Sequence, residues 1–135
     1  MKIFGITGLA LATFLLTGCA STGQPDAGFV RPDLKDPVAL RAEARWKAMI
    51  EKDLDKAYEF LSPGSKAAFP VALFKGRIRP LDWRAAKAIS VSCETDTCLV
   101  KVSVTVNDKR FGGEVTTVVP ETWLKDGGEW WLVFN

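Results

Sequence analysis

The sequence has no histidine, and in a chain of 135 residues that absence narrows the chemistry at once. It removes the commonest general base, the usual transition-metal ligand and any histidine-based triad. Tyrosine occurs once, at Tyr58, and cysteine three times, at Cys19, Cys93 and Cys98. Three thiols without a histidine do not fill a structural zinc site, and the sequence implies no metal and no cofactor. Neither sign of charge dominates: 18 Lys and Arg stand against 16 Asp and Glu, a net charge of +2. Nothing in that balance argues for nucleic acid or a strongly acidic substrate as a partner. The first apolar run stops at Leu16, short of the roughly 20 residues that a bilayer-spanning helix needs.

What is present is enough for one folded domain. Apolar residues make up 47% of the chain, with five Trp and eight Phe, so a packed core is expected. The length fits a single domain with a short appendage.

The appendage comes first. Lys2 precedes the run Ile3 to Leu16, which has the charge order and length of a signal peptide. Leu16-Thr17-Gly18-Cys19 resembles a bacterial lipobox: an apolar residue, two small residues, then cysteine. The resemblance implies diacylglycerol on the Cys19 thiol, cleavage before it and acylation of the new amino terminus. Two or three chains would anchor the protein at a membrane, since each buried methylene contributes about 0.8 kcal/mol and one chain alone holds only marginally. Ala20 follows the cysteine where an Asp would signal inner-membrane retention, so the resemblance points to the outer membrane, facing the periplasm. The alternative is an ordinary signal peptide cut near Ala20, with Cys19 incidental. Residues 20–36 are rich in small residues, Pro and Asp without an apolar period, and read as a tether. Its reach would be about 20–25 Å. The expected layout is a signal peptide over 1–18, Cys19 and tether over 19–36, and a domain over 37–135.

Asp36-Pro37 marks a helix start, with Asp as cap and Pro in the first turn. Ala42, Trp46, Met49 and Ile50 then repeat at helical spacing, with Arg41, Glu43, Arg45 and Lys47 mostly off that stripe. Leu54, Ala57, Tyr58 and Leu61 form a second stripe, and Ser62-Pro63 starts a short third helix towards Phe69. Residues 70–79 are ambiguous, with a further helical turn suggested around Leu73 and Phe74.

From Trp83 the period becomes two. Ile89, Val91 and Cys93 alternate with serines, and Cys98, Val100, Val102, Val104 and Val106 alternate with polar residues. If Cys93 faces Cys98 in a hairpin, then Val91 faces Val100 and Ile89 faces Val102, and all of these side chains share one face. Opposed residues about 4.5–5.5 Å apart lie within disulfide range. A redox or metal-binding pair is the alternative, weakened by the Cys-x4-Cys spacing and the lack of further His or Cys ligands. A bend at Phe111-Gly112-Gly113 leads to a strand from Glu114 to Val119, which Pro120 either ends or marks as an edge or bulge. A last hairpin turns at Gly127-Gly128, and its closing strand, Trp130 to Phe134, is apolar on both faces, so it should be central or doubly covered.

Helices followed by about four antiparallel strands give an α+β fold with the helices packed on one face of a curved sheet. The order of local phrases resembles the nuclear-transport-factor-2-like (cystatin-like cone) superfamily. The phrases are the helix with Trp46, Lys52-Asp53, Ala57-Tyr58-Glu59-Phe60-Leu61-Ser62-Pro63, Trp123, and Asp126-Gly127-Gly128-Glu129-Trp130-Trp131. The resemblance implies a cone-shaped sheet around a helix-covered pocket, in a superfamily of enzymes, binding modules and scaffolds, so the fold does not choose a function.

The candidate residues divide between site and core. Tyr58 would be the catalytic residue of an isomerase- or dehydratase-type pocket enzyme, with Asp82 or Glu121 as acid; otherwise it is a core tyrosine with a locally bonded hydroxyl. Trp46, Tyr58, Trp123, Trp130 and Trp131 would line a pocket or an interface, or simply pack. Lys75, Arg77, Arg79 and Arg84, with Lys87, would meet anionic headgroups or an acidic partner, or form a solvated face. The leading expectation is a non-catalytic, membrane-anchored module that binds a partner protein or a small apolar ligand. Two alternatives remain open: the pocket enzyme, and a structural envelope module that forms a homodimer through its sheet.

Overall fold

The structure, a computed structural model, describes residues 36–79 and 81–135; the apolar leader, Cys19 and the tether before Asp36 lie outside them. It is an α+β fold of four helices and a four-stranded antiparallel open sheet.

Helix α1 (Pro37–Ile50) starts as its sequence dictates, with the Asp36 carboxylate accepting from the Val38 N–H at 3.0 Å. Its inner face buries Val38, Ala42, Trp46 and Met49. Lys52 turns the chain with φ of 63°, and Asp53 caps α2 (Leu54–Glu59). Ser62 caps α3 (Pro63–Ala68) by accepting from the Ser65 N–H at 3.1 Å. The ambiguous segment is a helix, α4 (Val71–Arg77), which buries Phe74 completely.

The strands β1 (Asp82–Glu94), β2 (Thr97–Asp108), β3 (Gly113–Asp126) and β4 (Glu129–Val133) form a meander in sequence order. A short 3-10 turn, Lys109–Phe111, links β2 to β3. At the last hairpin Gly127 and Gly128 have φ of 60° and 81°, the pair of positive angles that a two-residue turn between twisted strands requires. Helix α1 lies across β1 and β2. Val100, Val102, Val104, Trp123 and Leu132 form the sheet's side of the core.

The first hairpin pairs Cys93 with Cys98 and Val91 with Val100, and the two cysteines are bonded, with Cα atoms 4.0 Å apart. The next step differs from the expected alternation. A bulge between Ala88 and Ser90 slips the register, so Ala88 and not Ile89 opposes Val102. Ala88 and Ser90 are buried, while Ile89 is only half-buried. Glu43 on α1 accepts from the Ala88 N–H at 3.0 Å, which satisfies a backbone donor where the ladder is disturbed.

Of the alternatives at Pro120 the edge position holds: β3 runs through the residue, opposite Lys101. Pro120 lies beyond the Thr122–Val133 pair that closes the β3–β4 ladder, so the missing N–H costs no bond on that side. Strand β4 is apolar on both faces yet stands at the sheet's edge. Its free edge is closed by the α2–α3 connection: Leu132 N–H donates to Phe60 O, and Ser62 N–H to Leu132 O, each at 2.8 Å. That cover removes an exposed edge.

The bridge at the tip of the first hairpin closes a short loop, so its entropic contribution is about 2 kcal/mol. Iodoacetamide should label Cys93 and Cys98 only after reduction, and Cys93→Ala should lower the urea-unfolding free energy by no more than about that amount. Labelling of both residues in the native, unreduced protein would contradict the bond.

Candidate functional site

The site is built around a carboxylate that the fold removes from water. Glu121 and Trp123 are two residues apart on β3 and so point to the same, helix-covered face. Arg45 and Trp46 are successive residues of α1, and both are buried. They reach Glu121 together. Oε1 accepts from Arg45 Nη1 at 2.6 Å and from Trp46 Nε1 at 2.7 Å, while Oε2 accepts from Trp123 Nε1 at 3.0 Å.

Burial pushes the Glu121 carboxyl above its ordinary range, against the opposing pull of Arg45 and the two indole N–H groups. Burial likewise lowers the Arg45 guanidinium, against the attraction of Glu121. Three donors converge on the one carboxylate, the geometry that offsets the cost of burying such a pair. One polar atom is left over: Arg45 Nε is buried without a hydrogen-bond partner.

Arg45, Trp46 and Glu121 form one wall of a cavity of about 430 Å³. Met49, Ile78, Trp83, Val119 and Leu132 supply apolar surface, and Arg77 and Arg79 also border it. Trp83 meets Trp46 edge to face, with centroids 5.3 Å apart. A second hollow of about 440 Å³ shares Met49, Ile78, Arg79, Leu81 and Trp83 and adds Lys52, Leu54 and Lys75. The two spaces therefore meet at the segment between α4 and β1.

The residues singled out from sequence divide sharply. Trp46 and Trp123 converge on Glu121. Trp130 packs beside the core, and Trp131 lies between Arg41 and Lys66, 5.0 and 5.6 Å from their charged groups. Tyr58 does not border the cavity. Its hydroxyl donates to Phe69 O at 2.9 Å, and its ring packs on Phe74. The basic cluster also breaks up: Lys75 pairs with Asp55 at 2.7 Å and Arg84 with Asp82 at 2.6 Å, which leaves Arg77 and Arg79 at the cavity. Arg45 is the residue that the helical stripe missed, because it lies beside the apolar face and a partner in β3 draws it in. The one local signal was Glu121-x-Trp123 in a strand, a carboxylate and an indole on the same face.

At the far end of β2, hydrogen bonds from the Arg110 side chain, and then from its backbone N–H, hold Asp108 down to about 2. The folded value lies below the unfolded 3.8, so this contribution to stability is complete above the unfolded value and is lost as pH falls towards the folded one. Asp108→Asn should therefore flatten the decline of the urea midpoint between about pH 4 and pH 2. A second prediction concerns the buried pair. Glu121→Ala should cost about 3–5 kcal/mol by stranding the Arg45 charge, and the double variant Glu121→Leu/Arg45→Met should recover much of that loss in urea unfolding. Equal losses in the single and double variants would show that the charges are not coupled.

No family model and no curated protein matches the chain. Solved structures do. A SEC-C motif containing protein from Rhodopseudomonas palustris superposes with a TM-score of 0.58 at 17% identity, over 70% of this chain and 73% of that one. A SEC-C motif containing protein from Psychrobacter arcticus gives 0.61 at 10% identity, over 73% of this chain and 59% of the neighbour, so the match spans little more than half of the latter. At these identities the likeness concerns the fold alone. It corrects the expected affiliation: the neighbours are described as SEC-C motif proteins and not as nuclear-transport-factor-2-like, and the sheet of this chain is an open meander. The weak phrases behind that expectation are mostly caps and turns, such as Ser62-Pro63 and Gly127-Gly128, which many α+β folds need at those places. The lipobox resemblance gains no support either, for no match speaks for a lipoprotein and Leu16 to Cys19 lie outside the described residues.

Proposed function

We propose that residues 36–135 form a non-catalytic binding domain for a small, largely apolar molecule. The observation that carries this reading is the cavity of about 430 Å³ beside Glu121, bordered by apolar side chains from α1, β1, β3 and β4. Its size falls within the range of small-molecule sites, which combine apolar walls with a few fixed polar groups. The rigid wall supports binding over chemistry. Three N–H donors already occupy the Glu121 carboxylate, and a general acid or base needs a free path to the proton it moves. Tyr58, the other group an isomerase-type site would use, donates to a backbone carbonyl outside the cavity.

The same reading puts the domain in an oxidising compartment outside the cytoplasm. The Cys93–Cys98 bond supports the compartment, since such bonds persist where thiols are not kept reduced. The charged and apolar order of residues 1–16 supports export.

N-phenyl-1-naphthylamine, an uncharged apolar fluorophore, should bind the purified protein saturably, with one molecule per chain. Val119→Trp, which fills the cavity, should weaken that binding at least about tenfold, with far-ultraviolet circular dichroism confirming that the variant folds. Absence of saturable binding, or an affinity insensitive to Val119→Trp, would overturn the reading.

A further inference from the structure

We infer that the ligand of this cavity is an amphipathic anion, its apolar body against Trp83 and Val119 and its carboxylate or phosphate head at Arg77 and Arg79. The inference rests on the binding reading above and adds the ligand's charge and orientation.

The argument is one of charge pairing. Each acidic side chain near the cavity is already committed to a cation: Glu121 to Arg45 at 2.6 Å, Asp82 to Arg84 at 2.6 Å, and Asp108 to Arg110. Arg77 and Arg79 form no salt bridge among the described residues, and both border the space. Asp108 feels the Arg79 charge without contacting it through a salt bridge. Arg77 instead lays its guanidinium over the Phe69 ring, 4.7 Å from the centroid, which fixes the plane of the group while leaving its edge N–H donors available. Deeper in the same wall, the guanidinium of Arg45 is buried with its Nε unpartnered. The cavity thus carries an excess of fixed positive charge beside an apolar surface, and burial raises the value of any anion that pairs with it.

The arrangement also orders the ligand. Arg79 borders both hollows, whose common wall is Met49, Ile78, Leu81 and Trp83. An anion at Arg79 is also within the field of Lys52, which borders the neighbouring hollow and joins no salt bridge among the described residues. Val119 and Leu132 add apolar surface to the same space as these charges. A neutral molecule would gain nothing from this polarity. An amphipathic anion would.

Sodium decanoate and 1-decanol, used below micelle-forming concentrations, share an alkyl chain and differ in the head. Each would displace N-phenyl-1-naphthylamine from the full-length protein. Decanoate should compete about tenfold more tightly than decanol, and 0.5 M salt should narrow that gap. Arg77→Gln/Arg79→Gln should weaken decanoate about tenfold and leave decanol unchanged, with far-ultraviolet circular dichroism and the unfolding midpoint confirming that the variant folds. Equal competition by the two probes, or a decanoate affinity insensitive to the double variant, would overturn the anionic ligand while leaving the apolar cavity standing. Failure of both probes to compete while the fluorophore still binds saturably would also overturn this inference alone. Absence of saturable fluorophore binding would remove the binding reading and this inference with it.

Discussion

One carboxylate ties the helical layer to the sheet. Glu121 stands on β3, and its partners are Arg45 and Trp46 on α1 and Trp123 two residues along its own strand. A buried, unpaired carboxylate would cost several kcal/mol, so α1 has to lie where its guanidinium and indole can reach. That requirement fixes the rotation of the helix about its axis. Apolar packing alone would accept several rotations, because Val38, Ala42 and Met49 are small or pliable and Met adapts to irregular space. Converging hydrogen bonds accept far fewer.

The cavity follows from the same constraint. Trp46, held by its N–H, meets Trp83 edge to face at 5.3 Å, and both border the space. The gap between Met49 and Val119 is polar on the Glu121 side and apolar on the other. Such a surface is suited to a molecule with two unlike ends. At its β4 edge the sheet is sealed by different means, with the backbone of Phe60 and Ser62 pairing to Leu132. The domain therefore closes its β4 edge and keeps open the side where α4 joins β1.

Most of the architecture was legible in the sequence because local signals and burial agreed. The caps at Asp36, Asp53 and Ser62 each satisfy N–H groups that have no helical partner, and any structure must meet that need. Cys93 opposite Cys98 followed from alternation. Alternation then failed at Ile89, since a bulge depends on a tertiary partner, here Glu43 on α1, which no strand pattern contains. The site was less legible for the same reason. Arg45 looks like a solvent-facing helix residue until Glu121 is placed 76 positions downstream. Arg77 and Arg79 stood out as part of a basic run, but only the pairing of Lys75 with Asp55 and Arg84 with Asp82 separates them from it. Family phrases made of caps and turns misled, because those phrases record how chains turn and not which fold they join.

The central claim is that the space bounded by Trp46, Trp83 and Glu121 is the binding site. Indole N–H resonances of the five tryptophans test it directly, followed by heteronuclear NMR while decanoate is added. The account predicts progressive shifts of the Trp46 and Trp83 signals, with Trp131 unmoved between Arg41 and Lys66. Shifts confined to Trp131, with Trp46 and Trp83 unchanged, would place binding on the opposite edge and contradict it.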